Sequence, residues 1–526
     1  MEHSASEYQT TTMDQQQNIV LVWVKWFLNV LWELWGEPIL IGLRLYEPKD
    51  RTYGRSEIPF SHMEKRLHDN PDVTVNFYKA IMPNGKDWVW YQVWEDKAAQ
   101  RATRRRADMV FCHGTGVHSG TLASHSRRYL DAGFRLVVPD LPSHGYSTGV
   151  HVYQRHGIGY TAGVRQVIHD IDRRDEEESG IRREKKDKRA RFLLGLSFGG
   201  LIAMIYPIHF PGSRRDDTST PDEIPIDGII GVGPLIDYSR NNVKVGWSTH
   251  ILASFLDLFN FTRLELFVPH KKVLDKDPKV YKTLVDQDMR SHRGAFRVGH
   301  LLCLRDAIAE IQAKAGQFTH PLYVQQGLQD RVVGVTEVIS WLRRCNSVDI
   351  KLSVYPICQH VIYRKAKTEV EDRAGRVAVL DDNVAWMSDR SPGQGHIDRA
   401  MSFSSDYSGD MTPNMSRSAS FSVSDAATPD EAVRNQADPG IVATTIESIS
   451  DKIDHAIENA AVASAIPDAA SGLTHRGEKV AAPPAPAVSA ATAAHVDRHS
   501  PQWSEQHIYR PNWTLPEDLR PYDVPL

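Results

Sequence analysis

The stretch Arg191–Gly200, RFLLGLSFGG, leaves this chain few ways to fold. A short apolar run ends in Gly-x-Ser-x-Gly, and GGLIAMIYPIHF follows at once with the composition of a buried helix. Gly195 and Gly199 stand two residues either side of Ser197. That spacing permits a sharp strand–turn–helix in which a bulky side chain at either flank would clash. The serine backbone is then strained, and its hydroxyl is presented above the sheet edge at the helix N-terminus. A bare Gly-x-Ser-x-Gly also occurs in glycine-rich turns. The strand before it and the helix after it are what give it weight here.

The flanking chain supplies a sheet for that turn. ADMVFCHG and FRLVVPDLP are continuous apolar runs ending near glycine or aspartate, as expected of strands buried on both faces of a parallel sheet. RFLLG, GIIGVGPLI and PLYVQQG repeat the style, and helices are predicted between them at Ser124–Ala132 and Ala162–Asp172. This alternation predicts an open α/β sheet. Val73–Asp96 alternates with period 2 around PNGK and reads as a hairpin with an Asn-Gly turn. Residues 173–191, an acidic block followed by a basic one, read as a charged surface loop, with lipid headgroups or nucleic acid as the other partners a basic run fits. From Tyr238 to Ala315 helical spacing replaces the strand rhythm, in the place where a lid would sit.

A serine hydroxyl is a weak nucleophile without a base, normally a histidine held by a carboxylate. In a strand–turn–helix architecture of this kind the order is Ser, then Asp or Glu, then His. Downstream, LYVQQGLQDRVV puts Asp330 just past an apolar strand, and KLSVYPICQHVIYRKAK puts His360 just past another. Each alone reads as a turn or structural residue; in this order, each at a strand end, they form a candidate triad with Ser197. Acyl transfer also needs donors for the developing oxyanion. The amide of Phe198, next to the nucleophile, is one candidate. The Thr115 amide in His113-Gly114-Thr115-Gly116, after an earlier buried strand, is the other, with His113 read as a brace for that loop.

The blocks FCHGTGVHSG, VVPDLPSHGYSTG, FLLGLSFGG, QGLQDRVV and YPICQHVIYRK together resemble the monoacylglycerol-lipase-like α/β-hydrolases, serine hydrolases often grouped with prolyl-aminopeptidase-like enzymes. The resemblance spans roughly Val73–Ser391, with VLDDNVAWMSDR as the last helix. It implies an α/β-hydrolase fold: a mostly parallel central sheet with helices on both faces and a helical cap over about 238–315. It also implies Ser197, Asp330 and His360 as the triad, Thr115 and Phe198 as oxyanion amides, a lipid ester as substrate, and no metal or organic cofactor. The chain departs from the family pattern at Leu196 and Phe198, where His and Met are usual, at Ser143, where glycine is usual, and by an extra stretch near Thr368–Val377.

Outside the domain at 73–391 the composition changes. Residues 1–17 are polar and expected to be disordered. Residues 18–46 are apolar and rich in tryptophan, with Lys25, Asn29 and Glu33 as one narrow polar stripe. As a helix, Ile19–Trp35 would be about 26 Å long at ~1.5 Å per residue, slightly short of a ~30 Å hydrocarbon core. It fits a helix lying in a membrane or lipid-droplet interface, one spanning marginally, or one docked on the protein's own surface. Pro38 is expected to end it. Residues 392–526 form a Ser/Ala/Pro-rich tail expected to be largely disordered, with one isolated amphipathic helix near Thr444–Ala463. A net charge of −4 argues against a nucleic-acid partner, and four cysteines without C-x-x-C spacing suit a reducing, intracellular compartment, membrane-associated at the endoplasmic reticulum or a lipid droplet. The readings carried forward are a monoacylglycerol-type lipase, a lysophospholipase or general carboxylesterase, and a catalytically inactive scaffold of the same fold.

Overall fold

The computed structural model describes residues 21–238, 255–256, 261–263, 288–391, 507–509 and 519–522. Most of the expected cap, residues 1–17 and the helix expected at 444–463 lie outside these residues.

Among the described residues nine strands form one sheet: β1 (Thr74–Ile81), β2 (Trp88–Glu95), β3 (Ala107–Cys112), β4 (Arg135–Pro139), β5 (Ala190–Leu196), β6 (Gly228–Val232), β7 (Leu322–Gly327), β8 (Ile350–Tyr355) and β9 (His507–Tyr509). Their order is β1-β2-β4-β3-β5-β6-β7-β8-β9. The run from β4 through β8 is parallel, and β1, β2 and β9 are antiparallel to their neighbours. The β1–β2 hairpin pairs Ile81 with Trp88 around the predicted turn, where Gly85 takes φ +68°.

The long helices are α1 (Gly157–Ser179), α2 (Phe198–His209), α3 (Val298–Ala313), α4 (Val335–Leu342) and α5 (Ala378–Arg390). The parallel strands are apolar at successive positions because the sheet is covered on both sides. Val110, Leu193, Ile229 and Val324 pack on one face with α1 to α4, whereas Met109, Phe111, Phe192, Leu194 and Ile230 pack on the other with α5 and the short helix Ser126–Asp131. This layering and topology are those of an α/β-hydrolase.

Several local readings need correction. The acidic half of 173–191 is no loop: α1 continues to Ser179, supported by Arg173–Glu177 one turn apart. The basic half folds back, with Lys188 on Asp172 and Glu176, and Arg191 on Asp172. Arg189 and Arg191 also reach Asp108, which Arg135 grips with two hydrogen bonds of 2.8 Å. Burial opposes the charge on Asp108, yet these three guanidinium groups hold its carboxyl far below the ordinary range. Pro38 does not end the first helix. The helix runs unbroken from 21 to 42, through a π-helical turn at Trp32–Gly36 and on into Glu37–Gly42, so Pro38 lies inside it, directly past the widened turn.

In that first helix residues 21–29 are exposed, whereas Leu34 and Glu37 are buried. Glu37 pairs with Arg263 at 2.7 Å, Glu33 with Arg297, and Trp35 packs edge-on against Phe261. No helix of the described residues is long and apolar enough to cross a membrane. At the other end of the chain, β9 pairs with β8 and Leu519 is fully buried in the core.

Candidate active site

Three loops at the C-terminal ends of parallel strands meet at one rim of the sheet. Ser197 lies in the turn between β5 and α2 with φ +53° and ψ −114°, a conformation that a residue with a side chain holds only when its surroundings impose it. Here the Ser197 N–H donates to the Val232 carbonyl and the Leu235 N–H donates to the Ser197 carbonyl, both at 3.0 Å. The flanking glycines are required by close approach. A Cβ on Gly195 would fall 2.1 Å from the Gly199 carbonyl oxygen, and one on Gly199 would fall 2.0 Å from that of Cys112.

Asp330 follows β7. Its Oδ1 accepts the N–H groups of Val332 (2.8 Å) and Val333 (3.1 Å), and its Oδ2 accepts Gln326 Nε2 at 2.9 Å. The same Oδ2 lies 2.9 Å from His360 Nδ1, and His360 Nε2 lies 2.7 Å from Ser197 Oγ. A carboxylate only accepts, so Nδ1 carries the proton and the Nε2 lone pair faces the hydroxyl. Both side chains are buried, Asp330 completely. The structure therefore brings all three residues singled out in the sequence into one hydrogen-bonded line. Such a line can take a proton from the serine as it attacks a carbonyl and return it to a leaving group.

The loop after β3 runs beside this line. A Cβ on Gly114 would sit 4.0 Å from Ser197 Cβ. His113 Nε2 accepts the Leu141 N–H at 2.9 Å while its Nδ1–H donates to the Gly114 carbonyl at 2.8 Å. It is thus a neutral brace between the β3 and β4 loops, and burial pushes its pKa down to about 3. No acceptor among the described residues takes the Thr115 N–H. Phe198 is the first residue of α2, so its N–H stands outside the helix's own ladder. Of the two amides named from the sequence, that of Phe198 adjoins the serine in the chain, and that of Thr115 follows Gly114, which lies beside it.

Other groups here escaped the sequence reading. His144 Nε2 accepts the Gly116 N–H at 3.2 Å, and the Gly116 carbonyl accepts the His292 N–H at 2.6 Å. His118 bonds Asp288 at 2.6 Å. Asp140 accepts from Ser119 and from the Tyr146 N–H. The signals were the blocks FCHGTGVHSG, which holds His118 and Ser119, and DLPSHG, which holds Asp140 and His144. Ser143 within the second has φ +67°, which accounts for the family's usual glycine at that place. Among the described residues no group of three His, Cys, Asp or Glu side chains is placed to hold a metal ion.

The sequence profile of the family described as "Serine aminopeptidase, S33" matches residues 103–365, half of the chain. A monoacylglycerol lipase of Mycolicibacterium smegmatis is 24% identical over 300 residues, covering 56% of this chain and 91% of that protein. The crystal structure of a Paleococcus ferrophilus monoacylglycerol lipase aligns with 20% identity and TM-score 0.44, over 58% of this chain and 99% of that one. A soluble variant of the Saccharomyces cerevisiae monoglyceride lipase, solved with a substrate analogue, aligns with 18% identity and TM-score 0.45, over 61% and 96%.

Proposed function

This chain belongs to the serine aminopeptidase S33 family of α/β-hydrolases, and on that premise we propose that it hydrolyses lipid esters, monoacylglycerols first among them. The observation that carries the reading is the unbroken line from Ser197 Oγ through His360 to Asp330, at 2.7 and 2.9 Å. His360 Nε2 takes the Ser197 proton as Oγ attacks the ester carbonyl. The Thr115 and Phe198 N–H groups receive the oxyanion. The tetrahedral intermediate expels the alcohol, which takes its proton from His360. Water, activated by the same imidazole, then releases the fatty acid from Ser197. Asp330 fixes the histidine tautomer and stabilises the imidazolium. The reaction so written uses no cofactor.

The lipid preference draws on the relatives named above and on the first helix. Trp23 (44%), Trp26 (55%), Phe27 (54%) and Leu28 (57%) are exposed on it, an apolar surface out of place in water. We place this helix on a membrane or lipid-droplet surface, with the catalytic domain inside the cell. Four unpaired cysteines are compatible with that compartment.

The test is a fluorophosphonate probe followed by a substrate panel. Ser197 should label, Ser197→Ala should not, and monoacylglycerol should be turned over faster than lysophospholipid or short soluble esters. Preference for lysophospholipid moves the assignment to a lysophospholipase. Absence of both labelling and ester hydrolysis leaves the scaffold reading. Deleting residues 1–46 should release the protein from sedimenting vesicles, and continued sedimentation refutes the anchor.

A further inference from the structure

An amide serves an oxyanion only if its peptide plane is aimed before the substrate arrives, because a plane free to swing spends free energy on reorientation at the transition state. Thr115 sits between two such planes. In the first, the Gly114 carbonyl is held by His113, which turns the Thr115 N–H the opposite way. In the second, the Gly116 N–H is held by His144 Nε2. Gly116 itself has φ +73°, a left-handed conformation that leaves the turn free to relax unless something pins it.

We infer that His144 is a positioning residue of the oxyanion hole: its Nε2 accepts the Gly116 N–H and so aims the Thr115 amide. This rests on the hydrolase reading above and adds a residue to it. The tautomer is imposed locally. Nδ1 lies 3.1 Å from the Pro142 carbonyl, which only accepts, so the proton is on Nδ1 and Nε2 is bare toward Gly116. The ring is fully buried, and its aromatic neighbours are the imidazoles of His113, His151 and His300, the phenol ring of Tyr160 and Phe198. Burial first, and then those imidazoles, favour the uncharged ring. The stack on Phe198 ties the ring to the residue that supplies the other oxyanion amide. The His292 N–H on the Gly116 carbonyl fixes the third plane, so the loop is pinned from both sides.

The experiment uses two replacements that each keep one half of the imidazole. Glutamine places an oxygen near the Nε2 position and retains an acceptor for Gly116. Asparagine mimics Nδ1, keeps the Pro142 contact and loses that acceptor. Rates are expressed per fluorophosphonate-titratable site, so a misfolded fraction does not count. His144→Asn should lower kcat roughly 10- to 100-fold with KM within about threefold, part of the 10²–10³ that loss of a whole oxyanion donor costs. Affinity for an alkyl boronic acid, which mimics the tetrahedral state, should fall by the same factor. His144→Gln should stay within about fivefold of wild type. Equal loss in both variants, or a loss expressed in KM alone, reduces His144 to packing and overturns the inference. In the wild-type protein, ¹⁵N-histidine NMR should show Nδ1 protonated and Nε2 bare, and the opposite tautomer overturns the inference whatever the variants do. If wild-type protein neither labels nor hydrolyses esters, the hydrolase reading itself has failed, which is a separate result.

Discussion

Replacing Asp330 by asparagine changes one atom and tests the assembly of the whole site. The carboxylate accepts four N–H groups: Val332 and Val333 on Oδ1, Gln326 Nε2 and His360 Nδ1 on Oδ2. An amide of the same shape has one acceptor oxygen and one donor nitrogen. The two backbone donors cannot turn away, so the amide oxygen should face them and the NH₂ should face His360. The imidazole then offers a bare Nδ1 to that NH₂ and moves its proton to Nε2, against Ser197 Oγ. A base in that tautomer cannot take the serine proton. Catalysis through the wrong tautomer costs about 10⁴-fold in kcat, or about 5.4 kcal/mol at about 1.36 kcal/mol per decade. KM should hold within a few-fold, because Asp330 is buried behind the histidine. Gln326 Nε2 would keep the Val333 carbonyl but lose its second acceptor, and the unmet buried N–H should remove about 1–3 kcal/mol of stability. The assay is steady-state monoacylglycerol hydrolysis per folded protein, with urea unfolding run in parallel. A kcat within tenfold of wild type would mean that His360 does not depend on Asp330 for its tautomer, and the proposed mechanism would be wrong.

Gly199→Ala should abolish activity and cost about 3 kcal/mol, because its Cβ would press on the Cys112 and His113 carbonyl groups, which are backbone. Thermal unfolding and fluorophosphonate labelling read both, and near-normal labelling refutes the close-approach argument. Acid should destabilise the domain well before its carboxylates titrate. Burial pushes His113 and His125 down to about 3 and His151 to about 2, so each folds neutral but is protonated in the unfolded chain below about pH 6.5. Their stabilising contribution is complete above about 6.5 and is lost as pH falls toward the folded values. Three protons taken up on unfolding give a slope on the order of 4 kcal/mol per pH unit near pH 5, and a urea midpoint unchanged between pH 7 and 5 would refute this. Deleting residues 501–526 should destabilise the domain by about 2–4 kcal/mol through loss of buried Leu519 and exposure of the β8 edge, whereas deleting 398–500 alone should leave Tm within a few degrees. Equal effects of the two deletions would sink that distinction.

What the sequence disclosed and what it withheld divide along a physical line. The elbow, the parallel strands and the order Ser197, Asp330, His360 are written locally: a glycine pair that tolerates close approach, an apolar run, a polar residue just past a strand end. Each strand end is carried to the same rim by parallel topology alone, so local signals suffice to bring the three side chains together. The Pro38 expectation failed because the rule it rests on presumes an α-helical ladder, whereas Pro38 directly follows a π turn whose bonds span five residues, as the Glu37 N–H on the Trp32 carbonyl shows. The charged stretch after Asp172 was read by its composition, whereas its structure follows from partners far along the chain: Asp108 in β3 is where Arg135, Arg189 and Arg191 converge. His144 was hidden for the same reason. A histidine in a glycine-flanked loop carries no mark of its role until the β3 loop lies against it and Gly116 presents an N–H to its bare nitrogen. The chemistry that makes the hydroxyl reactive was thus legible from strand ends, while the groups that aim the oxyanion amides are contacts between loops, specified by sequence positions with no periodicity to betray them. Substitutions at the second kind of position should move kcat with little change in KM, because they touch the geometry of the transition state and not the substrate.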